Sequence, residues 1–359
     1  MSEHAFELGL FSFGEARVDP ATGRQLDPGT RLRHLVEEIE LADQLGLDVF
    51  GVGEHHRADY AVSAPAVVLA AAAARTRRIR LTPSVSVLSS DDPVRVFQQY
   101  ATIDQLSEGR TELLVGRGSF TESFPLFGYA LDDYEELFSE KLELLLQLRS
   151  LEGTERIRWR GRHRPDIADR GVYPRPAQEP LPLWIAVGGT PGSVRRAGRL
   201  GVHLAIAIIG GQPARFAPLA QLYRHEAALA GHDPAQLKVS INSHGFVAES
   251  RAEARRTAFP PFAATMNRIG RERGWPPITA AQMEAEAAPD GALVLGTPEE
   301  VAEKIVAQHA LFQHDRFLLQ LTVGPIEHRD VLRAIELYGT KVAPLVRAEL
   351  GAAPATSPG

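Results

Sequence analysis

Short β-rich apolar runs alternate with longer helical patterns eight times along the 359 residues, and few architectures accept that rhythm. FELGLFSF (6–13) precedes TRLRHLVEEIELADQLG (30–46), where Leu32, Leu35, Val36, Ile39, Ala42 and Leu45 recur at helical spacing and Gly46 stands at the end. Further strands are expected at 47–53, 79–88, 111–116, 182–187, 203–209, 237–248 and 315–323, each followed by a helical stretch. Parallel strands need crossover helices, and eight such units favour an α/β fold closed as a (β/α)8 TIM barrel over an open doubly wound sheet. Two interruptions stand out: an Arg-, Gly- and Pro-rich segment near 152–180, expected as an inserted hairpin, and an irregular, lid-like segment near 249–297. A single domain over 1–348 is expected, with 349–359 (ELGAAPATSPG) a disordered tail.

Composition removes several kinds of chemistry. With no cysteine there is no thiolate catalysis, disulfide scaffold, iron–sulfur cluster or cysteine zinc site. A net charge of −6 argues against a general nucleic-acid binder. The longest uncharged run, Tyr60 to Ala74, has 15 residues, too few to span a bilayer, and the N-terminus lacks the basic region of a secretory leader; a cytoplasmic enzyme is expected. The run RIRWRGRHR (156–164) carries five arginines, but carboxylates flank it, so it reads as a solvated hairpin.

In such a barrel the chemistry sits where strands hand over to helices. Four exits carry unusual residues: GEHH (53–56), GRGSF (116–120), GGTPGS (188–193) and NSHG (242–245). The first two lack the last glycine and the early βαβ setting of a dinucleotide fingerprint. At 188–193, Gly188, Gly189, Thr190 and Ser193 open a helix and suit a phosphate; equally, they suit a capped helix behind a tight turn. Arg117 between two glycines fits ligand contact, the alternative being an ion pair with Glu122 or Glu112. Glu54, His55 and His56 admit a general acid or base, or a histidine bonded to a backbone carbonyl; adjacent imidazoles on an extended segment face opposite ways and suit a metal poorly, so none is expected.

EHH after the second strand, DDPVRVFQQYATIDQLSEGR (91–110) after the third and then GRGSF resemble the luciferase-like monooxygenase family, over about residues 6–345. The resemblance implies a catalytic His55 beside a flavin, with Glu54 next to it in the pocket. It implies a cis peptide between Ser84 and Val85 under the flavin ring, an Arg117 contact with the flavin phosphate, and a phosphate turn at Gly188, Gly189 and Thr190. This chain has glycines where luciferase has a glutamate and a serine on that turn, so phosphate binding would pass to backbone amides and to the hydroxyls of Thr190 and Ser193. The implied activity is monooxygenation of a small organic substrate with O2 and reduced FMN supplied by a separate reductase. FAD and the deazaflavin F420 are the alternative cofactors, the latter for hydride transfer; a non-catalytic flavin-binding protein is a third reading. A homodimer is the family habit.

Overall fold

The computed structural model describes residues 6–16, 23, 26–118 and 120–351. The strands in chain order are β1 (Glu7–Ser12), β2 (Val49–Val52), β3 (Arg80–Pro83), β4 (Ser86–Val87), β5 (Leu113–Gly116), β6 (Ile157–Trp159), β7 (Ile167–Arg170), β8 (Leu183–Val187), β9 (His203–Ile208), β10 (Val239–Val247), β11 (Val294–Gly296) and β12 (Arg316–Gln320). Hydrogen bonding runs β3-β2-β1-β12-β10-β9-β8-β5-β4, every pairing parallel. A parallel bridge between Leu81 and Thr111 completes the ring: Leu81 N–H donates to the Arg110 carbonyl at 2.9 Å, and Glu112 N–H to that of Leu81 at 3.0 Å. The architecture is the expected TIM barrel.

The expected third strand, 79–88, is in fact two pieces. The Ser84–Val85 peptide is cis and separates β3 from β4. Glycines on the flanking strands make room for this segment: a Cβ on Gly51 would lie 2.9 Å from the Ser84 Cβ, and one on Gly116 2.9 Å from a Val85 methyl. The 152–180 insertion is the antiparallel hairpin β6–β7. Its arginines meet carboxylates, Arg156 and Arg158 at Asp169, Arg160 at Asp166, Arg162 at Glu136 and Arg164 at Asp92.

The segment 249–297 is not irregular. It forms helices Arg251–Arg273 and Ala280–Ala287 and ends in β11, which pairs with the last part of β10. Pro260 and Pro261 lie inside the first helix, where each removes a backbone donor. Burial of Ala254, Ala258, Pro261, Phe262 and Thr265 against the barrel holds it helical nonetheless. Of the expected tail, Glu349 and Leu350 close the last helix, Ala343–Leu350, and 352–359 lie outside the described residues.

Alternate residues of each strand fill the barrel interior. At the N-terminal end Arg316 reaches across the ring, donating to Glu112 at 2.6 and 2.9 Å and to Glu7 at 2.6 Å; Arg80 and Lys238 also pair with Glu7. Burial alone would raise the Glu7 carboxyl, but Arg316, Arg80 and Lys238 outweigh it and hold the pKa at about 2. Above this layer lie two small apolar clusters, Phe11 with Val49 and Leu318, and Leu114 with Trp184 and Ala205. The charged floor and the apolar clusters above it leave the C-terminal half of the barrel for chemistry.

Candidate active site at the C-terminal rim

β2 ends in Gly51 and Val52, and after Gly53 come Glu54, His55 and His56 at the rim. His55 is buried among aromatic rings: Phe13 at 4.7 Å, Tyr60 at 4.3 Å and Phe120 at 4.9 Å between centroids. Its backbone N–H donates to the Val62 carbonyl at 2.9 Å, while Nε2 is buried with no hydrogen-bond partner. Desolvation pushes its pKa down to about 3, so the imidazole is neutral across the physiological range. A neutral ring with an unsatisfied nitrogen can accept or donate one proton to a bound molecule.

Glu54 serves its neighbours instead of His55. One carboxylate oxygen contacts His56 Nε2 at 2.9 Å and the other accepts the Val87 N–H at 3.0 Å, so it ties the β2 exit to β4 just past the cis peptide. Val85 packs in the Leu114 cluster, in reach of the ring wall formed by Gly116 and Ala186.

Arg117 follows β5 at the same rim, three residues before the Phe120 that touches His55. It pairs with neither Glu122, which is held by Arg57, nor Glu112, which is held by Arg316. Its partner is Glu135, 2.6 Å away on helix Tyr134–Ser150; its guanidinium lies 5.2 Å from the Tyr134 ring. Arg196 bonds the other oxygen of Glu135. It comes from helix Pro191–Leu200, whose start carries the glycine turn, and its Nη1 is buried without a partner. The bond from Arg196, with Arg117 nearby, holds the Glu135 carboxyl below its usual range. On the turn, Gly188 and Thr190 are exposed and Gly189 has φ +112°, which favours glycine. Thr190 is the N-cap residue, yet its side chain makes no capping bond; Ser193 is buried in the first turn. Pro191 brings no N–H to the first turn and the Ser193 N–H donates to the Thr190 carbonyl at 3.1 Å, so what fits a phosphate here is the two guanidiniums with the Thr190 hydroxyl, which makes no capping bond.

The structure thus places His55, Ser84, Val85, Arg117, Gly188, Gly189, Thr190 and Ser193 at one rim, with Glu54 behind them. Sequence reasoning missed Arg196; the double arginine inside the helix after the glycine turn was the available signal. The rim is roofed by helix Arg251–Arg273, fastened by charges: Arg57 donates to Glu272 at 2.6 Å and pairs with Glu122, while Arg268 lies 2.7 Å from Asp59. Among the described residues one group, Asp133, Glu136 and His163, has the spacing of metal ligands, but it is on the hairpin side, and Arg162 bonds Glu136 at 2.5 Å.

A parallel barrel with a buried imidazole and a phosphate-type cradle on one rim belongs to a cofactor-using enzyme. Residues 6–314 match the luciferase-like monooxygenase family, and the chain belongs to that family of oxidoreductases. It is 29% identical to the 4-hydroxyprotoasukamycin monooxygenase of Streptomyces nodosus subsp. asukaensis, over 93% of this chain and 91% of that one. It is 32% identical to the F420-dependent glucose-6-phosphate dehydrogenase of Amycolatopsis mediterranei (strain U-32), over 50% of this chain and 54% of that one. The crystal structure of monooxygenase RslO1 from Streptomyces bottropensis superposes with a TM-score of 0.80 at 25% identity, covering 94% of this chain and 99% of that one.

Proposed function

We propose that the protein is a flavin-dependent monooxygenase that takes reduced FMN from a separate reductase and oxidises a small organic substrate with O2. The observation that carries this is the buried, unpartnered Nε2 of His55 on the rim that also holds the Arg117 and Arg196 pair. When bound, the reduced flavin would supply the two electrons that let one oxygen atom enter the substrate while the other leaves as water.

Arg117, Arg196 and the Gly188–Gly189–Thr190 turn would hold the phosphate, with Ser193 lining the turn, and Ser84 and Val85 would support the ring. His55 holds or returns one proton at Nε2; being neutral, it can take a proton that an imidazolium could not. Glu54 keeps the β2 exit and β4 together through His56 and the Val87 amide. Helix Arg251–Arg273 shuts water out. A homodimer is proposed through the segment where Leu126, Phe127 and Leu131 are exposed.

The monooxygenase relative aligns over nearly the whole chain and the F420-dependent dehydrogenase over half, which supports oxygenation over hydride transfer. Titration with FMN, FAD and F420, each oxidised and reduced, tests the choice. Oxygen uptake with reduced FMN and a flavin reductase tests the reaction. Tight F420 binding without FMN binding would overturn the reading in favour of hydride transfer, and FMN binding without any oxidation product would leave a flavin carrier.

A further inference from the structure

The row of paired residues Gly51, Phe11, Gln320 and His244 crosses β2, β1, β12 and β10 one level below the rim. Arg316 points into the barrel, since it bonds Glu112 across the ring; Gln320, four residues on along the same strand, faces the same way, and so does His244 opposite it. Both side chains are buried, with 1% of Gln320 and 6% of His244 exposed.

The orientation of the Gln320 amide is settled by its neighbours. Its Nε2 donates to Glu15 Oε1 at 3.1 Å and to the Thr322 carbonyl at 3.0 Å, and neither of those groups could receive a bond from an oxygen. Glu15 is in turn fixed by the Thr322 hydroxyl at 2.8 Å. Oε1 of Gln320 therefore points away from this network, and it is buried with no donor. Nδ1 of His244, next door, is also buried with no partner. Two adjacent unsatisfied groups inside a barrel mouth are unusual where nothing is to be bound, because buried polar atoms are nearly always paired.

We propose that Gln320 and His244 form a substrate subsite that takes a hydroxyl group, so that the substrate is an alcohol or phenol anchored deeper in the barrel than His55. A hydroxyl carries both complementary roles in one group: its hydrogen can go to Gln320 Oε1, and its oxygen can accept from His244 Nδ1 when that nitrogen holds the ring proton. A ketone oxygen would leave Gln320 without a donor, and a hydrocarbon would leave both unpaired. Phe262, 6.0 Å from the His244 ring, offers an apolar surface for the rest of the molecule. This deepens the monooxygenase reading, on which it rests for the identity of the site.

The test is a binding comparison of 2-naphthol with naphthalene, on the full chain with and without FMN, for wild type, His244→Phe and Gln320→Met. Wild type is expected to bind 2-naphthol at least about tenfold more tightly, and each variant to bring the two within about threefold. Equal binding in wild type overturns the subsite, as does a preference that survives in both variants, the result expected if only a bridging water meets these groups. Melting curves report folding, and if Gln320→Met does not fold, His244→Phe decides alone. A parallel FMN titration separates the two readings: absence of FMN binding sinks the flavin reading, whereas the naphthol preference still decides the subsite.

Discussion

Arg117, just past β5, and Arg196, within helix Pro191–Leu200, grip opposite oxygens of one carboxylate, that of Glu135. This arrangement brings two guanidiniums to one carboxylate and leaves Nη1 of Arg196 buried without a partner. A phosphate entering there would gain charge-assisted bonds from both.

Arg196→Ala and Arg117→Ala are each expected to weaken FMN binding about 10- to 100-fold, in line with the roughly 1.5–3 kcal/mol of a hydrogen bond to a charged group. Riboflavin, which lacks the phosphate, should bind wild type and variants alike. Fluorescence titration of both flavins checks this; an equal loss for riboflavin would place the arginines elsewhere.

The charged floor of the barrel yields a stability prediction. Arg316→Met removes the buried cation that bonds both Glu7 and Glu112, and leaves Glu112, with 3% of its surface exposed, only the longer 3.5 Å pairing with the half-exposed Arg80, while Glu7 keeps Arg80 and Lys238. A loss of about 3–5 kcal/mol is expected from urea unfolding, as for breaking a buried pair. The loss should shrink in acid, where the carboxylates can take protons.

Among the described residues, His55, His244 and His314 are buried and His203 is partly so, and desolvation keeps all four neutral. Desolvation takes His55 to about 3 and His203 and His244 to about 4, with His314 well below the ordinary value. An unfolded histidine binds a proton near pH 6.5 while these do not, so stability is present above that pH and falls as pH drops from 6.5 toward 4. Each contributes a slope of up to about 1.4 kcal/mol per pH unit. Denaturant midpoints measured across this window should show the slope, and His244→Phe should remove one histidine's share of it.

The ionic fastening of the roof helix predicts a salt effect on access. Arg57 and Arg268, with Asp59, Glu122 and Glu272, join the β2 and β5 exits to helix Arg251–Arg273. Glu272→Gln should speed flavin association several-fold and reduce the acceleration seen on raising salt from 0.05 to 0.5 M, estimates of about that size following from partly exposed pairs. Stopped-flow mixing with FMN measures both. A rate indifferent to salt and to the substitution would mean that the helix does not control entry.

Much of the fold could be read from the chain because barrel strands are short, apolar and separated by amphipathic helices of ordinary length. Two parts could not. The break at Ser84–Val85 leaves no trace in an alternating pattern such as LTPSVSVL, which reads as one strand. In the 249–297 segment, Pro260 with Pro261 and Pro276 with Pro277 look like breakers, and only packing on the barrel, through Ala254, Ala258 and Phe262, shows a helix. The rim residues at EHH and GRG were visible because charged groups at a strand end have few structural excuses. Glu135, the true partner of Arg117, was hidden by lying 18 residues further on, across a turn and on another element. Gln320 and His244 were out of reach altogether, since their adjacency comes from strand register.

The register that joins β11 to β10 has one more consequence. Gly245, Phe246 and Val247 pair with Val294, Leu295 and Gly296, so the chain departs from and returns to neighbouring positions, roughly 4.8 Å apart. Everything between is a loop-out closed at its base, comparable to a drawer that slides in one frame. Evolution or an engineer could exchange that drawer for another, changing which molecules are admitted, while the eight-part cylinder beneath keeps its shape.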